Sequence, residues 1–300
     1  MDRLDAMRLF ARIVERRSFG LAAQDFGLPA STASDAVKQI EARLGVRLLE
    51  RTTRQVSSTP DGDAYYQRCL AILADVEDAE SMLTGAKPQG FLHVDVQGNM
   101  ARRVLMPGLP RFLAEYPGID LFMSEGDRFV DLVREGVDCV LRSGELKDSS
   151  DIIARPLGLL QEVTCCSPSY IERFGRPRRW DALDGHRMIG FRSSATGGVL
   201  PLEFMVNGER KTVLLPISFS VNGADSYRAA CAQGLGLIQV PRYAVREELA
   251  AGTLIAVLTR TPPSPTPVSL LYPRNRQRSP RVRVFLDWVV RETAAVAAAL

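Results

Sequence analysis

The most chemically pointed feature of this sequence is a run of small hydroxyls, one amide and one lysine. Ala30, Ser31, Thr32, Ser34, Asp35, Lys38 and Gln39 fall at the spacing that puts them on the outward face of one helix. Such groups suit close approach to base edges and phosphates. Arg51, Thr53 and Arg54 follow in a short hairpin that could reach a sugar-phosphate backbone, and Ser18 stands at the head of the preceding helix. Candidates for catalysis are sparse. His93 and His186, far apart in sequence, are the chain's two histidines; the count excludes a three-histidine zinc site, and neither has an obvious Ser–Asp constellation. The five cysteines are odd in number and show no CxxC spacing, as reduced and buried thiols would. Cys165 and Cys166 are adjacent in a strand, so they point to opposite faces and are poorly placed to bridge. Cys231 lies in a helix beside Ala229 and Ala230, a core setting. Gly234-Leu235-Gly236 lacks the spacing of a nucleotide fingerprint. The expectation is a chain that is no enzyme and holds neither metal nor cofactor.

The polar face needs a frame, and residues 1–59 supply one. A first helix from Leu4 to Arg16 carries Leu4, Met7, Phe10, Ile13 and Val14 at helical spacing. Ser18 reads as the N-cap of a second helix with Phe19, Ala22, Ala23 and Phe26. Gly27 makes a tight turn, and a third helix starts at Pro29 to Ser31 with an inward stripe of Ala33, Val37, Ile40 and Leu44, closed by Gly45. Two helices joined by a tight glycine turn form a helix-turn-helix, whose second helix enters the major groove by its first turns. Val46–Val56 reads as a hairpin wing. The competing reading is a plain three-helix bundle with solvated charges.

Charge sharpens this reading. The chain of 300 residues carries 38 Lys and Arg against 35 Asp and Glu, a net of +3, so it cannot coat RNA or a membrane by bulk charge. By segment the balance is +3 over 1–59, −4 over 60–88 and +4 over 89–300. Only Phe10, Phe19 and Phe26 are aromatic in the head, unlike a base-stacking single-strand binder. Charges at Asp2, Arg3, Asp5, Arg8 and Arg12 rule out a signal peptide. The longest uncharged runs, such as 212–224 and 229–241, are 13 residues each against the roughly 20 of a membrane span. A cytoplasmic protein is expected.

From Pro60, with Thr59 as N-cap, a long helix runs to about Gly85. Cys69, Leu70, Leu73, Val76, Ala79 and Leu83 step by three and four, the pattern of a two-stranded dimerisation seam. A helix packed on its own body is the alternative. Beyond the hinge at 87–90 the pattern alternates: strand Phe91–Val96, helix Met100–Tyr116, strand Ile119–Met123, helix Phe129–Glu135 and strand Val137–Leu141. That βαβαβ order implies a parallel sheet with ligands at the strand C-termini. A second unit starts near Val163, with a hairpin at Phe204–Val213 around Asn207-Gly208, a helix Asp225–Gln233 and a strand Leu235–Val240. The chain then returns through Val268–Tyr272 to a helix Val282–Thr293. The division is 1–59 for the DNA-binding head, 60–88 for the linker and 89–300 for the body. Lobe I of the body is 91–162 with 268–300, and lobe II is 163–267. The fold class is α plus α/β.

The stretch from Leu4 to Gly62 strongly resembles the N-terminal domain of LysR-type transcriptional regulators. F-x-x-I-V-E from Phe10, S-F-x-x-A-A from Ser18, S-x-x-x-x-x-I-E-x-x-L-G from Ser34, L-L-x-R from Leu48 and T-P-x-G from Thr59 fall in order. Where many members show Gln and then Arg or Lys, this chain has Ala30 and Asp35. Asp35 could accept from a cytosine amino group, or repel phosphate and cap locally. The resemblance covers the whole chain. It implies a winged helix-turn-helix, a linker helix paired antiparallel in a homodimer or homotetramer, and a two-lobed, periplasmic-binding-protein-like effector domain. It also implies promoter DNA and RNA polymerase as partners, with no membrane.

It places a small-molecule effector between the lobes. Gln97, Gly98, Asn99, Met100, Glu125, Gly126, Leu141, Arg142 and Ser143 follow the lobe I strands, and Arg192, Ser193, Asn222 and Gly223 stand opposite by resemblance. Helix N-termini favour anions, and Arg142 and Arg192 could each fork a carboxylate, aromatic or dicarboxylic. The bland alternative pairs Arg142 with Asp138 or Glu145. A ligand-responsive regulator stands against a solute-binding module, which the basic head opposes, and against an α/β enzyme, which the missing catalytic constellation opposes.

Overall fold

Helix propensity and capping set the head. The computed structural model describes all residues except 52–55, 85–86, 129, 145–150, 195, 275, 277–278 and 299–300; side chains at 51, 81–84, 133–134 and 295–298 are outside the description as well. Helix α1 (Arg3–Arg16) starts at Asp2, which accepts from the Asp5 N–H, and ends at Arg17 in the left-handed region. Helix α2 (Phe19–Asp25) is capped by Ser18, and α3 (Ala30–Leu44) ends at Gly45, whose φ of +74° a glycine adopts without strain. Phe10, Ile13, Ala22, Ala23, Ala33, Val37 and Ile40 close one core. Leu44 and Phe26, expected inward, are 43% exposed each, because both sit in the last turns where the helices diverge from that core. Strands β1 (Leu49–Arg51) and β2 (Val56–Ser58) pair antiparallel as the wing.

Helix α4 (Pro60–Thr84) is opened by Thr59, whose Oγ1 accepts from the Gly62 N–H at 3.0 Å. Its first turns belong to the head: Tyr65 meets Phe10 edge-on, and Cys69 is fully buried in the head core.

The body opens with β3 (Gly90–Val96) and the short α5 (Gly98–Met100). The single helix expected over Met100–Tyr116 is broken. A π-turn spans Ala101–Leu105, Pro107 and Gly108 interrupt, and α6 (Leu109–Glu115) restarts with Pro110 in its first turn. Proline offers no N–H to the helix ladder, and its ring clashes with the preceding turn. Then come β4 (Ile119–Glu125), α7 (Leu132–Glu135), β5 (Cys139–Ser143) and β6 (Ile152–Leu160). Lobe II holds β7 (Glu162–Cys166), α8 (Pro168–Phe174), β8 (Met188–Arg192), β9 (Val199–Leu200), β10 (Leu202–Val206), β11 (Glu209–Val213), β12 (Ile217–Val221), α9 (Ala224–Ala232), β13 (Ile238–Pro241), α10 (Arg246–Ala250) and β14 (Ile255–Val257). Finally β15 (Thr266–Pro273) and α11 (Pro280–Ala298) return to lobe I.

The lobe I sheet has the order β4-β3-β5-β15-β6. Strand β3 is parallel to β4 and β5, as the βαβαβ reading requires, but β15 runs antiparallel to both β5 and β6. The sheet is therefore mixed. Sequence reading passed over β6 because Pro156 and Gly158 interrupt it; both are tolerated on an edge strand, where the register slips beside them. In lobe II, β7 lies antiparallel between β13 and β14, and β8 pairs parallel with β12. The β10–β11 hairpin turns on Asn207 and Gly208, both at positive φ, as a two-residue primed turn demands.

Helix α4 is locked to the body by buried charge. The fully buried Arg281 of α11 donates to the Phe91 carbonyl at 2.8 Å and the Ala74 carbonyl at 2.9 Å, and pairs with Asp78 of α4. Its other terminal nitrogen lies 3.8 Å from Asp138, which also meets Arg276 at 3.0 Å and accepts from the His93 N–H at 3.0 Å. Arg276 pairs in turn with Asp75 of α4. Burial pushes the Asp138 carboxyl up to about 6 against the pull of Arg281. Removing one partner of such a cluster strands the others in a dry interior, at about 3–5 kcal/mol. Arg281→Ala is expected to lower stability by that amount, read as a lower urea midpoint. A midpoint equal to the wild type's contradicts the role assigned to this cluster.

Candidate nucleic-acid interface and ligand cleft

The head presents α3 on a fixed base. Asp25 accepts from Arg16 at 2.7 and 2.9 Å and from Arg12 at 2.5 Å, which ties α2 to α1 and holds its carboxyl at about 2. Ser18 Oγ accepts from the Leu21 N–H at 3.3 Å, so this hydroxyl is engaged as a cap. Gly27, at φ +65°, lets the Leu28 N–H reach back to Ala23 and set the angle into α3. Ala33, Ala36, Val37 and Ile40 face inward, leaving Ala30, Ser31, Asp35, Lys38 and Gln39 exposed and Thr32 and Ser34 half-buried. Lys38 Nζ lies 3.5 Å from Asp35, both side chains 65% exposed, so Asp35 offsets the helix's one lysine.

Two residues that sequence reading met only inside family motifs hold the start of the wing, Glu41 from α3 and Gly62 from α4. Glu41 Oε1 accepts from the Leu48 N–H at 2.8 Å and the Leu49 N–H at 3.1 Å. That carboxylate is the acid of the I-E-x-x-L-G pattern. Gly62 supplies the other constraint: a Cβ there would stand 1.9 Å from the Leu48 carbonyl oxygen. Thr53 and Arg54 lie outside the described residues, and Arg51 is described only as backbone in β1.

The dimerisation seam needs correction. Cys69 is spent on the head core and Leu73 is buried within the same chain. Leu70 and Val76 are half-buried, Ala79 is exposed, and the Leu83 side chain lies outside the description. One face of α4 is taken up by its own head and body, which narrows what a partner helix could meet.

At the cleft, Gln97 Oε1 accepts from the Ser143 N–H at 3.0 Å and the Ser143 hydroxyl at 2.6 Å, joining the C-terminal ends of β3 and β5. Met100 and Leu141 are buried in the lobe I core and do not face the cleft. Arg142 is not free: it pairs with the buried Asp95 and donates to the Arg128 carbonyl at 3.2 Å. Of the two carboxylates weighed from sequence, Asp138 is held by Arg276 and Arg281, and Glu145 lies outside the described residues.

Glu125 meets Arg102 at 3.4 Å, and Arg102 crosses to pair with Asp225 of α9. Gly98 packs against this pair; a Cβ there would stand 3.0 Å from Glu125 and 3.2 Å from Arg102. Asp127, just past Gly126, accepts from the Ala224 N–H at 3.1 Å, while its carbonyl accepts from the Ser194 hydroxyl at 2.7 Å. The N-terminus of α9, where Asn222 and Gly223 lead in, thus already holds a carboxylate from the opposite lobe. Arg192 and Asn222 are exposed, and Asn99 and Ser193 are half-buried.

His93 also differs from its sequence reading. Its Nε2 lies 3.1 Å from the Ser124 hydroxyl, which donates to Asp95 at 2.6 Å. A serine, a histidine and an aspartate do meet, but the carboxylate holds the serine and is itself paired with Arg142. A base relay needs the acid on the histidine, and burial lowers His93 below its usual value. All five cysteines are buried and unpaired, with Cys166 pushed up to about 12 by burial. Among the described residues, no three His, Cys, Asp or Glu side chains converge for a metal, and no helix is long and apolar enough to cross a membrane.

The profile of the bacterial regulatory helix-turn-helix proteins of the LysR family matches residues 4–63, and that of the LysR substrate-binding domain matches 85–294. The chain is 40% identical to YhjC of Escherichia coli, an uncharacterized HTH-type transcriptional regulator, over 96% of this chain and 97% of that one. It is 31% identical to the E. coli HTH-type transcriptional activator AaeR, covering 96% and 93%. The solved structure of CrgA, a LysR-type regulator from Neisseria meningitidis, superposes with a TM-score of 0.61 at 31% identity, covering 98% of this chain and 99% of that one.

The Gly62 contact gives a direct test of the head. Gly62→Ala forces β1 and α4 apart and should cost roughly 1–3 kcal/mol or more. A lower melting temperature and weaker DNA binding are expected; an unchanged melting temperature refutes the close approach.

Proposed function

Since this chain belongs to the LysR family of bacterial transcriptional regulators, we propose that its head reads promoter DNA through the outward face of α3. In this reading Ser31, Thr32, Ser34, Asp35 and Gln39 meet base edges, while Lys38, with Arg51, Thr53 and Arg54 of the wing, meets phosphates. Ser18 and Ala30 flank the approach. The observation that carries the reading is the exposed polar face of α3 on a head whose wing is tied to the same helix by Glu41. Two heads in a homodimer, or four in a tetramer, would engage a bent operator beside RNA polymerase in the cytoplasm. Pairing would use the open side of α4, with Leu70, Val76 and Ala79.

A small-molecule effector between the lobes would modulate that binding. Its approach would involve Gln97, Gly98, Asn99, Glu125, Gly126, Ser143, Arg192, Ser193, Asn222 and Gly223. The carboxylate reading now rests on Arg192, because Arg142 is engaged by Asp95. Effector action requires unequal affinity for two arrangements of the lobes. With Asp127 at α9 and Arg102 on Asp225, one such arrangement is already held by internal contacts.

Two experiments bear on these proposals. In gel shifts with the DNA upstream of its own gene, Lys38→Ala should weaken binding to all sequences and flatten the log–log salt slope by about one. Thr32→Ala should instead change base preference, by about 1–3 kcal/mol at the affected position; an equal loss on unrelated DNA removes Thr32 from readout. Calorimetry with a panel of aromatic and dicarboxylic acids should show binding to the wild type that is lost in Arg192→Ala. Unchanged affinity in that variant takes Arg192 out of the site.

A further inference from the structure

The chain crosses between the lobes twice, and both crossings meet at one pair of side chains. The first leaves β6 at Leu160 and enters β7 at Glu162; the second enters β15 at Thr266. Thr266 lies opposite Leu160 in the sheet, and its hydroxyl donates to Glu162 Oε1 at 2.7 Å. Between the two residues of the first crossing, the Gln161 carbonyl accepts from the Arg242 N–H at 2.8 Å. The turn that follows Arg242 straddles both lobes: Tyr243 and Ala244 pack in the lobe I core and Val245 in the lobe II core. A rotation of one lobe on the other has to be taken up along these two crossings, which Glu162 and Thr266 join.

The surroundings of this carboxyl are poor in positive charge. Among the described residues Glu162 makes no ion pair, and its hydrogen-bond partner is the neutral Thr266 hydroxyl. Glu203 of β10 faces it with a second negative charge, and the Tyr227 hydroxyl of α9 and the Tyr243 hydroxyl lie within electrostatic reach. On β13, Pro241 is its strand partner, and Gln239 spends its amide on Thr164 and the Glu203 carbonyl. Arg242, whose N–H meets Gln161, is exposed, while Arg210 pairs with Glu203, Arg103 with Glu247 and Glu248, and Arg228 with Asp225 and Glu248.

We propose that Glu162 makes the interlobe hinge proton-sensitive: as a neutral acid it lets the two crossings pack closed, and on ionisation it draws water into them and loosens the lobes. Glu162 is half-buried, and desolvation above all pushes its carboxyl from 4.5 up to about 8, with the Thr266 hydroxyl pulling the other way and Glu203 adding to the rise. The folded value lies above the unfolded one, so the stabilisation is fully present below about 4.5, declines as pH rises and is gone above about 8. The proposal is independent of the ligand and of DNA.

Small-angle scattering of the full chain from about pH 6 to about 9.5, spanning the titration, tests it. The wild type should expand with a midpoint near 8, and Glu162→Gln should stay compact throughout. Thr266→Val removes a donor that favours the carboxylate, so its midpoint should move up; Glu203→Gln removes a repelling charge, so its midpoint should move down. These two variants keep Glu162 and decide the matter even if Glu162→Gln does not fold by near-ultraviolet dichroism. A wild type of constant size, an expansion that persists in folded Glu162→Gln, or neighbour shifts of the same sign overturn the proposal.

Discussion

A guanidinium with no access to water has to be answered by the protein around it, and Arg281 sets that demand where three parts of this chain meet. Its partners come from α4 through Asp78 and Ala74, from β3 through Phe91, and from the start of β5 through Asp138. Desolvation makes each partner expensive to remove, so the linker helix takes one seat on the body. Strand β3 carries the consequence across lobe I. At one end its Phe91 carbonyl belongs to the charge cluster; at the other, Asp95 holds Arg142 and Gln97 holds Ser143. Six residues of extended chain, about 20 Å at roughly 3.3 Å per residue, separate the linker helix from the cleft. A rearrangement at the cleft end therefore acts on the linker through a strand, not through a flexible loop.

What sequence could and could not reveal follows from the range of the signals. Ser18 as a cap, Gly27 and Gly45 at positive φ, the Asn207-Gly208 turn and the inward Ala33, Val37 and Ile40 are all local, and each is found where its spacing points. The break at Pro107 and the edge strand around Pro156 were lost to overriding patterns: an apolar period that continued past a proline, and a strand punctuated by breakers. The charge cluster left no trace, since Arg281 and Asp78 stand 203 positions apart and nothing in either neighbourhood names the other. Asp95 was hidden for the same reason: it stands 47 residues from Arg142, and nothing near that arginine in sequence names it. The Glu41 contact was not legible either: the last turn of a helix leaves free carbonyls, and the N–H groups that Glu41 meets belong to Leu48 and Leu49 beyond the turn.

The cleft shows how a protein can satisfy its own recognition groups. Two of the groups that sequence reading reserved for an anion are taken, Arg142 by Asp95 and the first N–H of α9 by Asp127, while Arg192 is exposed. An anionic ligand would exchange with these carboxylates and gain only the difference between the two sets of contacts. That is the condition for a switch. A ligand that only added contacts would bind tightly and move nothing, whereas one that replaces contacts between lobes shifts their arrangement by its differential affinity.

Electrostatics in the head leads to a similar economy. Its ten basic residues outnumber its seven acids by three, yet Arg12 and Arg16 are tied to Asp25 and Lys38 faces Asp35. On the proposed reading, one head alone would have weak long-range attraction and would depend on the fit of α3 in the groove. Tethering converts that weakness into discrimination. A second head held at fixed spacing binds at high effective concentration only where two half-sites match its geometry, and gains little on DNA that does not. A linker helix seated by buried charge supplies the fixed spacing on which such discrimination depends.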